Sequence, residues 1–424
     1  MSVPLQVLIV TDSFPPLCGG SGWSTWELAR GLIARGHHVE VVKIDARSRS
    51  GIFERQYEGI AVTQFCRQST NIPLARNFVK NERLWRELEA YLTRRMTDQA
   101  VDVVHAQHVM STVPSIRAAH ASGVPAVATV RDYWPVCYWS DLIYDPASPQ
   151  LCPECSVAMM TRCVRPRAGA AFVAAWSAIP YMRTNLATKR RVLAGAGAVI
   201  GVSRAITDDL KQRAPELGTT AIYTIPNPVD MTRIDEIHGG TDAPIPGPYV
   251  IYAGKLAVNK GTQYLLQAYE QAKIDWPLVI AGDGPLRAVL EADARTRRID
   301  LRVLGWIGRT ETLTWIRHAA MLAFPSYGPE SLSRVLIEAA ALGVPIAAMD
   351  TGGTRDILRG GDTALLSTEP EALGRDLARL AHDESLRSRL GLAAREDVRS
   401  RFAAPTIVEQ IERVYRSLLL PRAA

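Results

Sequence analysis

No run of about 18 apolar residues occurs in this chain of 424, so no membrane-spanning helix is expected. The opening MSVPLQVLIVTDSFPP lacks a basic n-region and a small-residue cleavage site, and its apolar run is too short for a secretory leader. It reads as a buried first strand entering a loop, and a cytoplasmic protein is expected. Charge of one sign is also scarce. Forty-nine basic residues face 43 acidic ones, a net +6 spread over a large surface, so no nucleic-acid partner is expected. What remains is a globular composition, 47% hydrophobic, long enough for two domains with a core each.

The first half alternates apolar runs with amphipathic segments. Strands are expected over 5–10, 39–44, 101–105, 126–130, 198–202 and 221–225, with helices over 23–35, 78–95 and 205–213. The stretch GGTDAPIPGP at 239–248 breaks the pattern. Strands then resume over 249–253, 278–281, 301–304, 321–324 and 346–348. Continuous apolar strands alternating with helices predict an α/β protein: two Rossmann-like, doubly wound parallel-sheet domains, spanning 1–238 and 239–405. Such sheets bind ligands beyond the carboxyl ends of their strands. A last helix over 406–420 carries Ile407, Ile411, Val414, Tyr415 and Leu418 at helical spacing. The runs 47–52 and 141–149 read as mobile loops.

The segment PSYGPESLSRVLIEAAALGVP, residues 325–345, holds the densest chemistry. Eight residues of helix would separate Glu330 and Glu338 by about 12 Å along the axis and leave them within a quarter turn of one face. Between them, the amides of Ser331, Leu332 and Ser333 are expected to open a helix N-terminus facing an anion. A nucleotide-sugar, with hydroxyls at both ends and phosphate in the middle, fits that outline. Glu330 could instead be a plain helix cap. Glu338 is harder to dismiss, because apolar neighbours surround it and an unpaired buried charge is costly.

Further candidates lie at strand ends. Gly19, Gly20 and Gly22 follow the first strand and permit close backbone approach ahead of a helix. Lys255 and Lys260, in AGKLAVNKG, could hold a diphosphate and absorb the charge it develops on leaving; the alternative is two solvated lysines. Gly282, Asp283 and Gly284 follow another strand, as do Gly305 to Arg309 in LGWIGR.

These motifs, SFPPLCGG, GKLAVNKG, AGDGP, the E-x7-E pair and ALGVPIAAMDTGG, resemble the retaining nucleotide-sugar glycosyltransferases of family 4, with the GT-B fold of two domains facing each other across a cleft. The resemblance spans nearly the whole chain. It implies that Glu330 binds donor-sugar hydroxyls and Glu338 the ribose. Lys255 and Lys260 would hold the diphosphate, with Gly20 approaching it from the opposite domain and the amides of Leu332 and Ser333 completing the cradle. The base would be read near Gly282 and Ile307. It also implies that the last helix returns to the first domain, and that transfer retains anomeric configuration without a protein nucleophile. No Asp-x-Asp triplet occurs, which agrees with lysines in place of a metal ion; no catalytic cofactor is expected.

There are departures. Arg131-Asp132 stands where relatives often carry His-Asp, and an arginine cannot act as a base; it could clamp a sugar hydroxyl or an anionic acceptor. His108 could face the cleft or be a satisfied structural histidine. Cys137, Cys152, Cys155 and Cys163 have spacings suited to a structural zinc site, with unmetallated thiols the alternative. Residues 168–182 are uncharged, aromatic and bracketed by basic residues, so this stretch could dock on an anionic membrane at the inner face, near a lipid-linked acceptor. A buried helix is the alternative. The expected function is sugar transfer from a nucleoside diphosphate to a hydroxyl of a glycan, glycolipid or lipid-linked acceptor. A GT-B sugar-nucleotide epimerase and a sugar-nucleotide-binding scaffold without catalysis are the other readings.

Overall fold

The computed structural model describes residues 3–45, 50–70, 73–145, 151–240 and 242–420. Residues 47–49 and 146–149 of the two expected loops lie outside them. Two compact units emerge: one of Met1–Ser140, Pro153–Pro228 and Ala404–Ala424, the other of Asp141–Cys152 and Val229–Ala403.

The first unit is built on eight strands: β1 (Gln6–Thr11), β2 (His38–Asp45), β3 (Gly51–Tyr57), β4 (Ile60–Cys66), β5 (Val103–Ala106), β6 (Ala126–Val130), β7 (Ala198–Gly201) and β8 (Ile222–Thr224), in the order β3-β4-β2-β1-β5-β6-β7-β8. Its central strands are mostly apolar because helices cover both faces; Leu8, Ile9 and Val10 of β1 are almost fully buried. The sheet is parallel except at one edge, where β3 runs antiparallel to β4. That hairpin departs from the expected all-parallel sheet. Its turn, Glu58-Gly59, has φ of 46° and 81°, the doubly positive pattern that matches the twist of paired antiparallel strands. The helix Ala404–Leu419 packs Ile407, Val408 and Tyr415 against Ile9, Trp26 and Leu32 in this unit's core.

The second unit has six parallel strands: β9 (Val250–Ala253), β10 (Leu278–Ala281), β11 (Leu301–Gly305), β12 (Met321–Phe324), β13 (Ile346–Met349) and β14 (Leu365–Ser367). Their order is β11-β10-β9-β12-β13-β14, the doubly wound arrangement in which strand order reverses between the first and fourth strands. β14 was not expected from sequence; three residues are too few to show a period. The helix Met231–Gly240 belongs to this unit, so the units divide before the glycine-proline break at 239–248. The Arg317 guanidinium donates to the Ile237 carbonyl at 2.7 Å, tying that helix to its neighbour Arg309–Arg317. In each unit the order reverses between adjacent strands, β1 and β5 in the first, β9 and β12 in the second, and these crevices hold most of the expected site residues.

Candidate active site

In the second unit, Lys260 and Glu330 come from loops after β9 and β12 and meet as an ion pair. Lys260 ends a short 3-10 turn, and Gly261 after it adopts φ +64°, with a would-be Cβ only 1.8 Å from the Pro325 carbonyl oxygen. Only glycine fits there, and the resulting contact fixes one loop against the other. Glu330 is 6% exposed and also accepts from Ser326 Oγ at 2.6 Å. A buried carboxylate thus carries an ammonium and a hydroxyl as partners, which offsets its desolvation. Lys255 lies exposed on the same loop.

Glu330 does not stand on the helix. The helix spans Arg334–Ala341 with Ser333 as its N-cap, at φ −72° and ψ 115°. Ser331 and Leu332 therefore form a bridge ahead of the first turn, and the continuous helical spacing expected between the two glutamates is corrected. The cause is the next loop: Gly353 N–H donates to the Glu330 carbonyl at 2.7 Å, so that carbonyl does not open the helix.

Glu338 lies on the helix, 6% exposed. Its Oε1 accepts from Arg334 Nε at 2.7 Å, one turn earlier on the same helix. It also accepts from Arg309 Nη2 at 3.0 Å, at the start of the helix Arg309–Arg317. Both guanidinium groups are themselves 6% exposed. Arg334 was not singled out in the sequence, and Arg309 was named only as the end of the LGWIGR loop, with no role of its own. The signal for Arg334 was its four-residue offset from Glu338, the spacing at which opposite charges meet on a helix.

Gly282 and Gly305 form an isolated bridge that joins the ends of β10 and β11. A Cβ on Gly282 would lie 1.9 Å from the Gly254 carbonyl oxygen, so this glycine serves contact between loops. Asp283 is exposed; the Gly284 N–H at 2.7 Å and Arg287 at 2.9 Å hold its carboxyl below the usual range. Ile307 is half-buried beside the exposed Trp306.

In the first unit, Gly19 is the N-cap of the helix Gly20–Ala34, and a side chain there would meet open space. Gly22 is the constrained one, its would-be Cβ 2.6 Å from Cys18 Cβ. His108 caps the helix Val109–Ser122, and its Nδ1 meets Thr11 Oγ1 at 3.0 Å. Burial, helped by the charge of Arg131, lowers His108 to about 3, so the ring is neutral near pH 7. His105 is enclosed in the core between Tyr415 and Thr129.

Arg131 is 8% exposed, and its terminal nitrogens donate to the side-chain oxygens of Asn227 and Gln107. Asp132 Oδ1 accepts from Trp134 N–H at 2.9 Å. Burial raises Asp132 to about 6 and Asp12 to about 7, and it lowers Lys189 to about 8. These three groups feel one another electrostatically and form a polar cluster that the sequence did not flag.

Among the described residues, no three His, Cys, Asp or Glu side chains come together to hold a metal ion, so the expected zinc cluster of Cys137, Cys152, Cys155 and Cys163 is not assembled. Cys152 belongs to the second unit and the other three to the first. Arg167 Nη1 sits 3.0 Å from Cys163 Sγ, where a cation opposes a metal. No described helix is long and apolar enough to cross a membrane.

Comparison with known proteins follows the same division. Residues 233–397 match the description "Glycosyl transferases group 1" and residues 18–233 match "Glycosyltransferase Family 4". N-acetyl-alpha-D-glucosaminyl L-malate synthase of Bacillus anthracis is 29% identical over 45% of this chain and 50% of its own. Glycogen synthase of Mycobacterium tuberculosis is 24% identical, covering 97% of this chain and 94% of its own. The chain spans about half the length of the first curated relatives it matches. Among solved structures, sucrose-phosphate synthase from Thermosynechococcus elongatus superposes with TM-score 0.74 at 20% identity, over 98% of this chain and 99% of that one. Anabaena HepE in complex with UDP-glucose gives 0.65 at 18%, over 97% and 100%. Likeness at that level establishes the GT-B fold alone. The match over residues 18–233 covers half of the chain, and with it the chain belongs to Glycosyltransferase Family 4.

Proposed function

We propose that the protein is a retaining glycosyltransferase that moves a sugar from a nucleoside diphosphate to a hydroxyl of a glycan, glycolipid or lipid-linked acceptor. The observation that carries this reading is the Lys260–Glu330 pair at the strand-order reversal of the second unit. Glu330 accepts hydrogen bonds from the donor-sugar hydroxyls. Lys260 and Lys255 stabilise the diphosphate as charge builds on its leaving oxygen, so no metal is required. The amides of Leu332 and Ser333 add donors, and Glu338 receives the ribose hydroxyls. Gly282 and Ile307 border the base. The leaving phosphate oxygen takes the proton from the acceptor hydroxyl on the same face. His108, neutral at working pH, and Asp132 line the acceptor side, Arg131 supplies fixed positive charge, and Gly19 and Gly20 permit close backbone approach to the donor diphosphate. The setting is cytoplasmic, at the inner face of a membrane.

HepE, structurally similar at 18% identity, is described in complex with UDP-glucose, which supports a nucleotide-sugar donor here. The test is thermal denaturation with uridine, guanosine and adenosine diphosphates and their sugar conjugates, followed by assay of diphosphate release. A ligand at about 100 times its Kd adds about 2.7 kcal/mol to stability. Selective stabilisation by one nucleotide, weakened in Glu338→Gln, is the expected result. No stabilisation by any of them overturns the reading. Binding without turnover favours a scaffold, and donor conversion without acceptor favours an epimerase.

A further inference from the structure

Residues 168–182 do not form the buried helix that was the sober alternative. They run from the end of the helix Val157–Ala168 through a turn at Gly169–Ala171 and the short helix Phe172–Trp176 into the helix Ile179–Ala194. One side of this assembly has its own small core, in which Met160, Val164, Ile179, Met182 and Leu186 are buried. The other side carries apolar groups into solvent. Val173 is 84% exposed and Trp176, three residues on and so on the same helical face, is 53% exposed.

A lone exposed apolar residue needs no explanation. Here two of them lie in fifteen consecutive uncharged residues, and the charge around them is of one sign. Between Glu154 and Asp208 the chain has no acidic residue, and it has eight cations. Arg162, Arg165, Arg183 and Arg191 are exposed. The acid that approaches from a neighbouring element, Glu82, faces the inner side, where it accepts from Tyr181 and Asn185 at 2.8 and 3.0 Å. Glu216 lies beside Arg183, Arg190 and Arg191 along one cavity. Lys189 is buried and turned to the interior cluster with Asp132.

We propose that this helical tip is a docking surface for an anionic lipid bilayer. An apolar centre ringed by guanidinium groups matches an interface in which valine and tryptophan enter the headgroup–acyl boundary and arginines pair with lipid phosphates. A nucleic acid or acidic protein would satisfy the arginines but leave Val173 and Trp176 without a partner. Docking does not depend on the donor site, and its test involves no nucleotide.

The experiment uses the full chain with vesicles of phosphatidylcholine alone, or with about a quarter phosphatidylglycerol, read by co-sedimentation. Binding to the anionic vesicles only is expected. It should fall at least about tenfold in Val173→Asp/Trp176→Ser and separately in Arg162→Glu/Arg165→Glu, with the thermal midpoint of each variant unchanged. Equal binding to both vesicles, or none, overturns the proposal. So does binding that the arginine variant loses and the Val173/Trp176 variant keeps, because that marks a general polyanion surface.

Discussion

Arg334 and Arg309, from two different helices, converge on the single oxygen Oε1 of Glu338, at 2.7 and 3.0 Å. Three charges share a nearly dry site, and the carboxylate is held in one orientation before any ligand arrives. Removing it would leave two guanidinium groups buried against each other. Glu338→Ala should therefore cost about 3–5 kcal/mol of stability, read from the denaturant midpoint, whereas Glu338→Gln keeps an acceptor and should cost less.

The same triad predicts how binding fails. In Arg334→Leu the carboxylate loses one of its two anchors, and affinity for the cognate nucleoside diphosphate should fall about tenfold by calorimetry. The 2′,3′-dideoxy analogue, with no ribose diol, should lose little. Equal losses for both would show that Arg334 only supports the fold.

Glu330→Gln keeps a partner for Ser326 but removes the charge opposite Lys260. Turnover should fall about 100-fold, while binding of the free diphosphate changes little, because Glu330 is proposed to face the sugar. Parallel kcat and calorimetric measurements check the split.

Asp12 gives a pH signature. Burial, reinforced by nearby Asp132, pushes its carboxyl up to about 7, against the pull of the amides at the start of the helix Val109–Ser122. A group whose folded pKa lies above its unfolded value holds an extra proton in the folded state between the two. Its contribution to stability therefore declines as pH rises from about 4 to about 7. Asp12→Asn keeps an oxygen for Met110 N–H and removes that decline. The variant should gain on the order of 1–3 kcal/mol over the parent at pH 8 and much less at pH 4, in urea denaturation at both values.

Gly261 allows a fifth comparison. With φ +64° and a would-be Cβ 1.8 Å from a carbonyl oxygen, Gly261→Ala should cost about 1–3 kcal/mol or more. It should also displace Lys260 and weaken diphosphate binding, whereas Gly239→Ala, with open space around it, should do neither.

Where one periodicity ruled, sequence revealed structure. The strands β1, β9, β10 and β12 are apolar at nearly every position because both faces are covered, and their loops carry Gly19, Lys260 and Glu330. The hairpin of β3 and β4 escaped because β3 lies at an edge, where GIFERQY mixes polar and apolar residues without alternating. The helix was expected to start directly after Glu330 and starts three residues later, because the competing Gly353 amide comes from a loop more than twenty residues later. Arg309 was named only as the end of a loop, and its contact with Glu338 was not foreseen, because nothing local distinguishes an arginine that reaches a carboxylate from one that reaches water. The cysteine spacing left zinc and unmetallated thiols both open, because spacing alone does not show that Cys163 sits on a helix beside Arg167.

Val229 and Ala403, the first and last residues of the main segment of the second unit, pair as a parallel bridge, and Val229 N–H donates to the Phe402 carbonyl at 2.9 Å. The segment therefore begins and ends at one point, like a cassette clipped into its host at a single seam. Recombination between relatives can exchange it there with two adjacent junctions, provided Asp141–Cys152, which packs in the same unit, comes from the same parent.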